Sequence, residues 1–165
     1  MDIFFEQLVK IKKTGKTYLA YAGIALAAII IMAASYLFLP QLFIIIAAAT
    51  LYGAYKLYSM LSVEYEYIIT NSTMDIDKIT AKSSRKRILS FELTAVERVE
   101  KYRDGLPQDI LSGCFFACNK NDSNAIVLVI HPEGKSKQSV TVAPDERMLD
   151  TMKKFLPKYV ADTLN

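Results

Sequence analysis

The sequence predicts an α+β membrane protein. A transmembrane helical hairpin comes first. A seven-stranded, strongly bent sheet or barrel follows, with a C-terminal helix. Three observations predict this. From Thr17 to Tyr55, 39 residues pass without Asp, Glu, Lys, Arg or His. After Leu61 the pattern becomes a two-residue alternation of apolar and polar side chains, the period of a half-buried strand. Near the end, Met148, Leu149, Met152, Phe155 and Leu156 recur at helical spacing. Two domains result: residues 1–61, with a short N-terminal helix and the hairpin, and residues 62–165, predicted to be cytoplasmic.

The first residues, "MDIFFEQLVKIKK", place Phe4, Leu8 and Ile11 on one helical face. This pattern predicts a short amphipathic helix lying on the inner leaflet. The apolar run that follows is too long for a signal peptide, and it holds two spans rather than one. A single helix from Thr17 to Leu61 would be about 67 Å long, more than twice the hydrocarbon thickness. Pro40 cannot continue a helix and drives Leu39 toward an extended conformation. Two helices, Lys16–Leu39 and Gln41–Leu61, turning at Pro40-Gln41, each match the bilayer.

The lysines set the orientation. Lys10, Lys12, Lys13 and Lys16 precede the first span, Lys56 lies near the end of the second, and the turn is uncharged. Positive residues stay inside, so both termini are predicted to be cytoplasmic in a two-span protein of the cell membrane. Tyr18, Tyr55 and Tyr58 then fall at the inner interface as an aromatic belt. Gly23 with Ala27, and Ala49 with Gly53, are small pairs four apart. They are expected to pack the hairpin on itself, with a dimer face as the alternative reading. A homo-oligomer is not otherwise indicated.

Beyond the spans, "SVEYEYIIT" and "TMDIDKIT" alternate around Asn71-Ser72 and read as an antiparallel hairpin. Further strands are predicted at Lys86–Leu93, Ala95–Tyr102, Gly113–Asn119, Ala125–His131 and Lys137–Ala143. "RDGLPQD", "NKNDSN" and "HPEGKSK" supply turns. Pro144, Asp145 and Glu146 open the last helix.

"EYEYIITNSTMDIDKIT", continuing into "KSSRKRILSFELTAVERVEKY", resembles the opening of bacterial pleckstrin-homology-like domains that flank transmembrane helices. The matching positions are Tyr67, Thr70-Asn71, Met74–Ile79, and Val96 with Val99. Most of the chain also resembles two-span membrane proteins of Gram-positive anaerobes. The resemblance implies the fold and no particular activity.

The chemistry is sparse. Residues 62–165 carry 15 basic and 15 acidic side chains, so the basic excess of a nucleic-acid-binding domain is missing. Cys114 and Cys118, two thiols with a single histidine, do not make a zinc site, and they read as inert packing groups. No phosphate loop, nucleophile elbow or HExxH occurs. The chain is expected to be no enzyme and to need no metal or cofactor. One feature stands out. "AKSSRKR" places Lys82, Arg85, Lys86 and Arg87 where the second strand returns toward the membrane. Each cation near an anionic leaflet gains about 1 kcal/mol, so these four are the candidate lipid-binding residues, with an ordinary solvated turn as the alternative reading. The predicted function is a membrane-anchored binding module for a protein partner, anionic lipid or both. The alternative is a small accessory subunit of a membrane complex, with contacts through the hairpin.

Overall fold

The computed structural model describes residues 3–103, 105–107, 110, 113–131 and 136–164. These divide into two compact units. One comprises Met1–Ile11, Glu64–Ile79 and Arg85–Asn165; the other comprises Lys12–Val63 and Thr80–Ser84.

The second unit is the helical hairpin. α1 spans Gly15–Phe38 and α2 spans Phe43–Met60. A 3-10 turn at Pro40–Leu42 joins them, and Leu39 before it is neither helical nor extended, at φ −138° and ψ 56°. The break falls at the predicted proline, because its ring removes an N–H and restricts the residue before it. Both helices are long and apolar enough to cross a membrane. Tyr36 meets Phe43 edge-on near the turn, with ring centroids 5.6 Å apart. Tyr21 stacks on Tyr58 at the opposite end, at 4.3 Å. The helices are therefore antiparallel neighbours.

The first unit holds the sheets, and its first element corrects the sequence reading. Residues Phe4–Lys10 form a strand, β1, and not an amphipathic helix. β1 pairs antiparallel with β2 (Val63–Thr70), in register from Phe4 opposite Thr70 to Lys10 opposite Glu64. The boundary at residue 62 moves accordingly, since residues 1–11 belong to the sheet unit. β3 (Thr73–Thr80) and β4 (Ser84–Glu92) complete a four-stranded sheet in the order β1-β2-β3-β4.

A second sheet contains β5 (Val96–Lys101), β6 (Phe115–Phe116), β7 (Ile126–Ile130) and β8 (Gln138–Val142), in the order β5-β7-β8-β6. All pairs are antiparallel except the short β6, which runs parallel to β8. Each of the seven predicted strands is present, but among the described residues they and β1 build two open four-stranded sheets rather than one seven-stranded barrel. Parts of the predicted turns "RDGLPQD" and "HPEGKSK" lie outside the described residues.

The core lies within this unit. Tyr67, Ile69, Met74 and Ile76 of the first sheet are fully buried, as are Val127, Leu128, Ile130 and Val140 of the second. Tyr67 ties the sheets together: its hydroxyl donates to the Ala117 carbonyl at 2.8 Å and accepts from the Ala143 N–H at 3.3 Å. Burial pushes its ionisation well above the usual range. α3 (Glu146–Lys153) begins at Asp145, whose carboxylate accepts the Met148 N–H at 2.7 Å as an N-cap. Met148 and Met152 are fully buried and Leu156 nearly so, while Phe155 is only half-buried. A short α4 follows at Lys158–Ala161.

β1 is held at both ends and at its centre. The Gln7 amide donates to the Ala143 carbonyl at 3.1 Å and accepts the Asp145 N–H at 3.0 Å, so β1 is fastened to the start of α3. Asn119 donates to the Lys10 carbonyl at 3.1 Å. The Asn71 side chain accepts from Ile3 N–H at 3.1 Å.

Candidate functional site

The basic run is not a loop. Thr80 to Ser83 form a tight turn closed by the Ser83 N–H on the Thr80 carbonyl. Its central residues, Ala81 and Lys82, both have φ of +56°, the backbone of a type I′ hairpin turn. Ser84 onward is already β4. The turn does come back to the foot of α2, as predicted: Ala81 N–H donates to the Ser62 carbonyl at 3.1 Å.

Strand alternation then separates the four cations. Arg85 and Arg87 lie on the face of the first sheet that carries Glu66, Asp75 and Asp77. Arg85 grips Glu66 with contacts of 2.7 and 2.9 Å. Arg87 bridges Asp75 at 2.9 Å and Asp77 at 3.2 Å. Lys86 falls on the opposite face of the strand and Lys82 in the turn, both exposed. Neither makes an ion pair among the described residues.

The carboxylates facing the arginines are unusual for an outer sheet face. Glu66 is 3% exposed and Asp77 4%. Burial raises the Glu66 carboxyl above its ordinary value, and a hydrogen bond with Glu6 adds to this. Arg85 opposes the shift, and the charges of Glu6 and Asp77 reinforce it. The two arginines thus neutralise charge that the sheet itself has buried.

The remaining candidates are dispersed. Lys13 lies over Tyr21 and Tyr58, 4.7 and 5.3 Å from their ring centroids. Tyr18 meets Tyr21 edge-on. Tyr18, Tyr55, Lys12, Lys16 and Lys56 are exposed, and Lys10 is exposed on β1. A Cβ built on Gly23 or Gly53 meets nothing within 4 Å. These glycines therefore do not pack the hairpin on itself. Ala28 and Ser35, seven apart, are the buried positions of α1. Ala27 lines the same open groove as the glycines, and Ala49 is exposed. Cys118 is buried, and its thiol is pushed up to about 12 by that burial. Cys114 sits 3.2 Å from the Thr141 hydroxyl, and both cysteines are free. His131 pairs with Glu97 at 2.9 Å on the surface.

Two facing sheets closed by a C-terminal helix define a domain of the pleckstrin-homology-like class. The family model described as Bacterial PH-like domain (DUF6106) matches residues 1–162, and the chain belongs to that family. Among curated proteins and among solved structures, nothing matches it. The match begins before β1 and runs through the hairpin, so both lie inside the family's domain rather than beside it.

Proposed function

We propose that this protein is a membrane-anchored binding module. The hairpin spans the cell membrane with both termini cytoplasmic, and the PH-like sheets present a recognition surface at the inner leaflet. The observation that carries the reading is the pairing of β1 with β2 on either side of the hairpin. Seven residues before the spans and eight after them belong to one sheet, which supports a common side for both ends. Lysines at both ends of the hairpin and none at its turn support the inside as that side. Lys82 and Lys86 are the cations of the basic run with charge left to offer an anionic leaflet, and the wider sheet surface is left for a protein partner.

The test is topological. In intact cells, a membrane-impermeant thiol reagent is expected to label a cysteine introduced by Gln41→Cys. It should spare one introduced by Lys120→Cys, in a background where Cys114 and Cys118 are replaced by serine. Labelling of Lys120→Cys with protection of Gln41→Cys would reverse the orientation and remove the inner-leaflet reading.

A further inference from the structure

The hairpin is inserted between two strands that pair with each other. β1 ends at Lys10 and α1 begins at Gly15, while α2 ends at Met60 and β2 begins at Val63. Residues 11–14 and 61–62 are therefore all the chain that joins the helices to the ladder. At its last pair the ladder sets Lys10 opposite Glu64, where backbones stand about 4.5–5.5 Å apart. Packed helices stand about 8–10 Å apart, so the short connections absorb the difference. Both are tied down. The Thr14 carbonyl accepts the Thr17 and Tyr18 N–H groups at 2.9 and 3.2 Å, and the Ser62 carbonyl accepts from Ala81 at 3.1 Å. Lys13, in the first connection, reaches α2: its ammonium lies 3.5 Å from the Tyr58 hydroxyl. It also lies 4.7 Å from the centroid of Tyr21, the ring that stacks on Tyr58 at 4.3 Å.

β1 is fastened as specifically along its length. The Asn71 N–H donates to the Ile3 carbonyl at 2.8 Å, so by alternation Phe5, Gln7 and Val9 are the hydrogen-bonded positions of the ladder. The Gln7 side chain fastens the strand to Ala143 and Asp145, and Asp145 in turn caps α3. β1 is also an edge strand with Phe4 and Leu8 exposed, which suits it to local opening. Loosening β1 would release the start of α3 with it.

We infer that β1 is a strap governed by the foot of the hairpin. While Tyr21 and Tyr58 are stacked and Lys13 lies over them, the strap is closed. A partner that parts the helices at this stack pulls on residues 11–14, and β1 comes away from β2 and from the start of α3. By linkage, a partner that holds β1 in place favours the stacked foot. This goes beyond the proposed anchoring: it needs the paired helices and does not depend on which side of the membrane their turn faces.

The experiment is hydrogen exchange, read by mass spectrometry on the full chain in detergent micelles. Tyr58→Ala removes the stack and the Lys13 contact together. It should speed amide exchange across Phe4–Lys10 by about ten-fold, the equivalent of ~1.4 kcal/mol and the size of one aromatic pair with one exposed cation–π contact. Exchange in Ile126–Ile130 of the second sheet should stay the same. Tyr58→Phe keeps the ring and should exchange like the parent. Inserting Gly-Gly-Ser-Gly between Ile11 and Lys12 supplies slack, and in that background Tyr58→Ala should have no further effect on Phe4–Lys10. Parent-like exchange of Phe4–Lys10 in Tyr58→Ala would overturn the inference. So would an increase shared by Ile126–Ile130, which marks general destabilisation, or an undiminished increase in the slack background.

Discussion

Residues 62–165 should not fold well alone, whereas the same residues joined to β1 should. In the perturbation, Lys12–Ser62 is replaced by Asn-Gly, so that Ile11 is joined to Val63 through a two-residue hairpin turn. The register favours this, since Lys10 and Glu64 are already opposite each other. The cost of omitting β1 can be worked from its contacts. Val9 is 8% exposed, and burying such a side chain stabilises by about 1.5–3 kcal/mol. Gln7 makes two hydrogen bonds to the Ala143–Asp145 segment, each with a net worth of about 0.5–1.5 kcal/mol. These two residues alone account for about 2.5–6 kcal/mol, against a total of about 5–15 for a domain. The ladder from Phe4 to Lys10 would be lost as well, leaving β2 as an unpaired edge. Urea unfolding followed by far-ultraviolet circular dichroism measures the difference. The joined protein should unfold cooperatively at a clearly higher midpoint than residues 62–165. Equal midpoints would show that β1 is not part of the folded unit, and the reasoning would fail.

Two further outcomes can be measured on the joined protein. Met152→Ala should cost about 2–5 kcal/mol because the side chain is fully buried, and Phe155→Ala should cost less because Phe155 is half-buried; equal losses in denaturation midpoint would contradict the docking of α3. Glu66 is held above its ordinary carboxyl value by burial and by Glu6. The folded state therefore binds its proton more tightly than the unfolded state. Its contribution is fully present below the ordinary carboxyl range and is lost as pH rises through the raised folded value. Glu66→Gln should flatten that part of the stability profile, and a variant profile parallel to the parent's would refute the assignment.

Much of the architecture is legible in the chain because it rests on local causes. A charge-free run with one proline specifies the hairpin, and alternation specifies β2 and β3 without reference to partners. β1 was not legible in the same way. "FFEQLVK" places Phe4 and Leu8 four apart and Phe5, Gln7 and Val9 two apart, so both periods fit. The inward position at its centre is polar: Gln7 faces Ala143 and Asp145, while the apolar Phe4 and Leu8 are exposed. A strand with these reversals reads as an amphipathic helix until β2, more than fifty residues away, is seen beside it. The turn at Ala81-Lys82 escaped for another reason. Type I′ turns usually announce themselves by Asn or Gly at the two positive-φ positions, and here Ala and Lys occupy them. The run therefore reads as a longer loop than it is.

That misreading bears directly on function. Four free cations at an anionic leaflet would contribute about 4 kcal/mol at ~1 kcal/mol each, enough to orient a domain without other contacts. The structure sets Arg85 and Arg87 against Glu66, Asp75 and Asp77, which leaves Lys82 and Lys86. Their combined attraction is about 2 kcal/mol, reduced further by salt over a Debye length of about 8 Å. If the two helices span the membrane as proposed, the chain gains little from so weak a contact. Its basic run is better understood as the counter-charge to an acidic sheet face than as a membrane anchor. Removing Arg87 should then act on the sheet before it acts on lipid binding, because Asp77 would be left buried without its partner. The recognition surface proposed for the module is accordingly to be sought on the sheets themselves.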